Sequence, residues 1–303
     1  MNLVAAPTFQ ADPASMSPAG VATRAHLLTL TCEDRPGIVA RVSAIIAKLG
    51  GNISESAQFW ERSDNGFYMR IAFSTSSAVV PDVMRRALQP TVEQFGLKAR
   101  LTDAERSPRI IVLVSKFDHC LQHILYQVRV GWLKATVAAI VSNHRDSERT
   151  AELAGIPFHW LPVTKDSKAE QESRVLALID ETNAELVVLA RYMQVLSDGF
   201  TSTLAGHVIN IHHSFLPSFK GAKPYHQAHE RGVKLIGATA HYVTPELDEG
   251  PIIEQETERV THALSPEDYV AVGRNIEARV LARAVKLHVE QRVLLNGTKT
   301  VVF

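Results

Sequence analysis

The stretch VINIHHSFLPSFKGAKPYHQAHERGVKLIGATAHYVTPELDEGPII, Val208 to Ile253, decides how this chain is read. A short apolar run, His207 to Ile211, carries one amide, Asn210. Asn210 and His212 are two positions apart, so in extended chain both side chains share a face. The run breaks at Ser214-Phe215-Leu216-Pro217, and a second strand-like run, Leu235 to Val243, leads to a turn, Pro245 to Gly250, that carries Asp248. An amide, an imidazole and a carboxylate are therefore expected at or just beyond strand ends, where open α/β sheets bind ligands. A carboxylate set between Leu247 and Pro251 is expected to have a raised pKa and to serve as a general base. The imidazole and amide can donate hydrogen bonds to an oxygen gaining negative charge. Together these groups suit attack on a carbonyl carbon. The residues alone leave a plainer assignment open: Asn210 as a turn cap, His212 as a satisfied loop histidine, Asp248 as an Asx-turn residue.

Outward from this stretch, strands and helices alternate. Upstream, Ile110 to Val114 reads as a strand buried on both faces, followed by a helix near His119 to Arg129 and a strand at Thr136 to Val141. A helix near Arg145 to Ala154, a short strand at Phe158 to Leu161, a helix near Ala169 to Thr182 and a strand at Leu186 to Ala190 come next. Downstream, Ser265-Pro266-Glu267-Asp268 has a cap residue, a proline at the first helical position and early acids, and opens a long helix to about Gln291. The pattern predicts an α/β domain with a doubly wound, mostly parallel sheet. Further upstream, Leu27 to Cys32, a helix with Ile38, Val42, Ile45, Ile46 and Leu49 on one face, two strands joined at Ser63-Asp64-Asn65-Gly66, a second helix and a last strand give the order βαββαβ, a ferredoxin-like split unit. The expected division is a disordered tail over 1–24, the ferredoxin-like unit over 25–103, a linker over 104–108 and the larger domain over 109–303.

The 303 residues allow one large or two ordinary domains, and 46% hydrophobic residues supply real cores. A formal net charge of zero gives no electrostatic case for nucleic acid or an anionic membrane. No apolar run approaches the ~20 residues that span a bilayer. The first 24 residues lack a basic start followed by an apolar core, so no secretory signal is read there, and Cys32 and Cys120 are unclustered; both point to a reducing, cytoplasmic setting.

The quoted stretch resembles the formyltransferase family of enzymes that use 10-formyltetrahydrofolate: Asn-x-His, a Ser-x-Leu-Pro loop, then Asp-x-Gly. The resemblance implies that Asn210, His212 and Asp248 form the catalytic trio. It also implies that Met193, Gln194, Val195 and Leu196, in VVLARYMQVL, line the pterin pocket. The N-terminal unit resembles an ACT domain through CEDRPGIV and Gly50-Gly51-Asn52-Ile53. That implies a crevice for an amino acid or other small effector, with Asp34, Gly37 and Asn52 as its residues, and assembly as a homo-oligomer. In relatives that formylate glycinamide ribonucleotide, a Gly-rich loop after the first strand holds phosphate. Here that loop is Ser115-Lys116-Phe117-Asp118-His119-Cys120, without glycine and with an acid. The folate half of the site is kept and the phosphate half lost, which leaves water as the nucleophile. The resemblance over about Ala25 to Phe303 thus implies a folate-dependent hydrolase that releases formate, with no cofactor beyond its folate substrate.

Three rivals remain at this level. A metal hydrolase would use His212, His213, His226, His229 and His241, but no H-E-x-x-H helix or acid–His cluster with ligand spacing is present, so no metal is expected. A formyltransferase to a non-nucleotide amine is the second. A sensor using only its ACT module is the third, and the intact trio argues against it.

Overall fold

A computed structural model describes residues 22–164, 166–216 and 224–303. The expected tail lies outside the described residues through position 21, and so do Pro217 of the Ser-x-Leu-Pro loop and the residues up to 223.

The N-terminal part is β1 (Thr23–Glu33), α1 (Ile38–Lys48), β2 (Asn52–Glu61), β3 (Gly66–Ser76), α2 (Pro81–Phe95) and β4 (Lys98–Asp103). The four strands form an antiparallel sheet in the order β2-β3-β1-β4, as the βαββαβ reading requires. Leu28 and Leu30 of β1 pack with Ile38, Val42 and Ile46 of α1 and Met84 and Leu88 of α2. His26 to Leu30 of β1 are all buried, on the sheet's second face as well as on the face that the helices cover. The reason is a second contact. Arg70 of β3 donates to the Glu290 carbonyl at 3.2 Å and to Glu55 at 2.9 Å, and Arg292 donates to Glu55 at 2.8 Å. The far C-terminal segment therefore covers that face.

The larger part is β5 (Arg109–Val114), α3 (His119–Arg129), β6 (Thr136–Ser142), α4 (Glu148–Ala154), β7 (Phe158–Trp160), α5 (Lys168–Thr182), β8 (Leu186–Leu189), α6 (Asp198–Thr203), β9 (Val208–His212), α7 (Pro224–Glu230), β10 (Leu235–Tyr242), β11 (Ile252–Arg259) and α8 (Pro266–Val289). A hairpin of β12 (Val293–Asn296) and β13 (Lys299–Val302) closes the chain. The sheet runs β11-β10-β9-β8-β5-β6-β7. Strands β7, β6, β5, β8 and β9 are parallel, and β10 runs antiparallel to both of its neighbours, β9 and β11. Strand β5 explains its unbroken apolar run: Ile110, Val112 and Val114 enter one core and Ile111 and Leu113 the other. Helix α8 starts at the expected cap residue, and the cap is a reciprocal capping box: Ser265 Oγ accepts from Asp268 N at 3.2 Å and the Asp268 carboxylate accepts from Ser265 N at 2.9 Å.

Candidate active site

The site forms where strand order reverses, beside β5 and β8. Three segments build it. The first follows β8. Arg191 takes a left-handed φ of 63°, and Ser115 clamps the turn: its N–H donates to the Arg191 carbonyl at 3.2 Å and its Oγ accepts from Met193 N at 3.0 Å. Ser197 N donates to Glu172 at 2.8 Å at the other end. Pinned at both ends, the segment turns Met193, Gln194, Val195 and Leu196 into a cavity of about 250 Å³. Met193 and Val195 are 56% and 60% exposed, so this wall offers apolar surface suited to a flat ring.

The second segment is β9. Asn210 and His212 face one side, as period two demands, and both line the cavity. The expectation of strand ends needs correction. Asn210 lies inside β9 and pairs across to His241 of β10. Because β10 runs antiparallel, it ends beside the start of β9, and Asp248 returns to His212 through the connection 243–251. That connection, the third segment, depends on two backbone features. Asp248 has φ 58°, a conformation Asp tolerates better than most residues. Gly250 passes so close to the Tyr242 carbonyl that any Cβ would collide with it.

The polar geometry is specific. His212 Nδ1 lies 3.2 Å from Asp248 Oδ1, and His212 Nε2, buried, has no partner among the described residues. His241 Nδ1 lies 2.8 Å from the Tyr242 carbonyl, and its Nε2 lies 3.3 Å from Asn210 Nδ2. His241 Nε2 is 3.7 Å from Asp248 Oδ1. The expected raised pKa of Asp248 is contradicted. Burial alone would raise it, but the hydrogen bonds and charges of His212 and His241 outweigh burial and hold the carboxyl well below the usual carboxylate range. The apolar neighbours read from sequence were the wrong surroundings; two imidazoles from other strands decide the titration.

A second layer lies beneath the cavity, and spacing did not reveal it. Glu277 of α8 is 1% exposed and accepts from His119 Nε2 at 2.8 Å and from Tyr225 Oη at 2.7 Å, with Arg191 Nε at 3.3 Å. Its pKa lies below the ordinary value: burial raises it, but His119 and Arg191 prevail. Gly273, one turn earlier on α8, leaves room for the Tyr225 ring, which a Cβ there would strike. A lone acid at an inward position of the apolar helix was the available signal. His119, Cys120 and Glu277 offer donor atoms within 4.8 Å of one another, a cluster hidden from spacing because 158 positions separate His119 from Glu277. The donor set does not suit a metal. Glu277 is already engaged by two donors, the Arg191 cation stands beside it, and burial, with the Glu277 charge, drives the Cys120 thiol well above its ordinary pKa.

In the N-terminal part, Asp34 and Gly37 line one cavity of about 470 Å³ at the start of α1, where Gly37 has φ 97°. Asn52 does not join them. It pairs with Ser74 at one end of β3, whereas Glu33 pairs with Gly66 at the other, roughly 26 Å away along the strand. Helix α1 carries the chain back across the sheet between the two positions.

The fold and site define an enzyme of the formyl transferase class joined to an ACT domain: the formyl transferase family matches residues 108–285 and the ACT domain family residues 26–89. Formyltetrahydrofolate deformylase of Corynebacterium sp. (strain P-1) is 48% identical over 278 residues, covering 91% of this chain and 97% of that protein. The Bacillus subtilis (strain 168) protein of the same name is 45% identical, covering 91% of this chain and 93% of its own. The crystal structure of formyltetrahydrofolate deformylase from Burkholderia mallei ATCC 23344 superposes with a TM-score of 0.89 at 48% identity, covering 92% of this chain and 99% of that one. The chain belongs to the formyltetrahydrofolate deformylase family. No helix among the described residues is long and apolar enough to cross a membrane.

Proposed function

We propose that the protein hydrolyses 10-formyltetrahydrofolate to formate and tetrahydrofolate, with Asn210, His212 and Asp248 as its catalytic residues. One observation carries the reading: Asp248 engages His212 Nδ1 and leaves His212 Nε2, at the cavity, without a partner among the described residues. The carboxylate accepts from Nδ1 and fixes the ring, and with a hydrogen on each ring nitrogen Nε2–H donates to the formyl oxygen as negative charge develops. Asn210, its amide nitrogen 3.3 Å from His241 Nε2, turns an amide hydrogen to the same oxygen. Asp248 stays ionised through the neutral range, orients water and receives its proton as the carbon–oxygen bond forms. Its depressed pKa makes it a weak base, so orientation is the larger part of its work. Met193, Gln194, Val195 and Leu196 hold the pterin ring.

Water is the acceptor because the loop after β5, Ser115 to Cys120, has no glycine to cradle a phosphate and carries an acid. The Phe117 ring lies under the Arg274 guanidinium at 4.8 Å, and the Asp118 carboxylate accepts from Gln122 at 3.0 Å. The division into a regulatory part over 25–103, a linker over 104–108 and a catalytic part over 109–303 fits the two sheets. A small effector, such as an amino acid, would sit at Asp34 and Gly37 rather than at Asn52. Assembly as a homo-oligomer and a cytoplasmic place in one-carbon metabolism complete the reading; the two cysteines are unpaired. Incubating the protein with 10-formyltetrahydrofolate alone and following formate tests it. Absence of formate, with tetrahydrofolate formed only when an amine is added, would favour a transferase.

A further inference from the structure

Resting on that hydrolase reading, we propose that His213 is a fourth catalytic residue, the group that holds the attacking water. The trio supplies two donors to the formyl oxygen and one carboxylate to the water. A water held by one carboxylate still rotates, and attack needs a lone pair aimed at the formyl carbon. A second acceptor is required. His213 is the next residue after His212, it lines the same cavity, and its ring stands 5.2 Å from that of His212 and 6.4 Å from that of Tyr225, centroid to centroid. No hydrogen bond to another described residue holds either of its ring nitrogens, although His119, His207, His212, His241 and His288 each have one or an ion pair.

The surroundings keep this imidazole in the form that accepts. Groups face it from every side: Arg191 after β8, Glu277 on α8, His212 on β9, Asp248 after β10 and Tyr225 on α7. Burial first, then the Arg191 cation, lower its pKa to about 4, against the opposing carboxylates. It is therefore neutral at pH 7, with one lone pair available. The layer under the cavity thereby gains a purpose: Glu277 holds Arg191 against the underside of the site, and Arg191 discourages a proton on His213. In the reaction, the water oxygen bonds to the formyl carbon as the bond from that carbon to the folate nitrogen breaks. One water proton goes to Asp248 and on to the departing nitrogen. The other, held against His213, is released when formic acid ionises to formate.

The test compares wild type, His213→Asn and His213→Ala at saturating 10-formyltetrahydrofolate, with and without hydroxylamine as a competing nucleophile, measuring formate and formohydroxamate. If His213 holds water, His213→Ala lowers kcat for formate by about 10²-fold and leaves KM within about threefold. The hydroxamate-to-formate ratio rises roughly tenfold, because hydroxylamine needs no such holder, and His213→Asn, which keeps an acceptor, recovers part of the loss. The ratio does not depend on how much of a variant is folded. A ratio unchanged from wild type, or a formate kcat within about fivefold, overturns the assignment while formate release by wild type keeps the hydrolase reading. No formate from wild type overturns both.

Discussion

Replacing Asp248 by Asn keeps the side chain's shape and removes its charge. The carboxylate sits 3.2 Å from His212 Nδ1 and 3.7 Å from His241 Nε2, with 16% of its side chain exposed. At an effective dielectric of about 20, unit charges 3.2 Å apart attract by about 5 kcal/mol. Halving this for screening at the exposed edge leaves about 2.5 kcal/mol for a unit of positive charge drawn onto that ring as the oxyanion forms, roughly 70-fold in rate. Loss of the proton acceptor adds to it, so kcat for formate release should fall by about 10²–10⁴-fold. Folate affinity should change little, because the ring wall at Met193 to Leu196 is anchored by Ser115 and Glu172 rather than by Asp248. A stability signature accompanies the rate. Since folding depresses this pKa, the ionised carboxylate stabilises the protein above its unfolded value of about 3.9, and that contribution is lost as pH falls through the folded value. The melting temperature of Asp248→Asn should lie below that of wild type at pH 7, and the two should converge in acid. Formate release within about fivefold of wild type, or a melting gap that widens in acid, would refute the reasoning.

Asn210→Ala should lower kcat by roughly 10²–10³-fold in the same assay with little effect on KM, and near-normal turnover would remove Asn210 from the oxyanion site. Glycinamide ribonucleotide at millimolar concentration should not divert the formyl group, because the loop after β5 has no glycine and places the Phe117 side chain and the Asp118 charge where a phosphate would need bare backbone N–H groups; formylated nucleotide forming faster than formate would point to Lys116 as a phosphate holder. Prolonged chelation should leave activity unchanged, because the carboxylate of the His119, Cys120 and Glu277 group is already engaged by its own neighbours. Loss of activity on chelation, restored by Zn²⁺, would falsify this.

Local rules carried much of the architecture. The βαββαβ order, the buried run of β5, the cap residue of α8 and the shared face of Asn210 and His212 follow from period, punctuation and residue type, which act over a few positions. The sequence could also name Asp248 as a member of the site, because its turn lies in the same stretch. The tertiary structure decided what those residues experience. Asp248 is held low by imidazoles on β9 and β10, Asn52 is parted from Asp34 by the length of β3, and the second face of the N-terminal sheet is covered by a segment near the C-terminus. The Glu277 layer joins groups more than a hundred positions apart, and β11 was not read from its pattern, since only its pairing to β10 makes it a strand. Electrostatic environment and sheet pairing are set by neighbours in space, which periodicity along one chain does not encode.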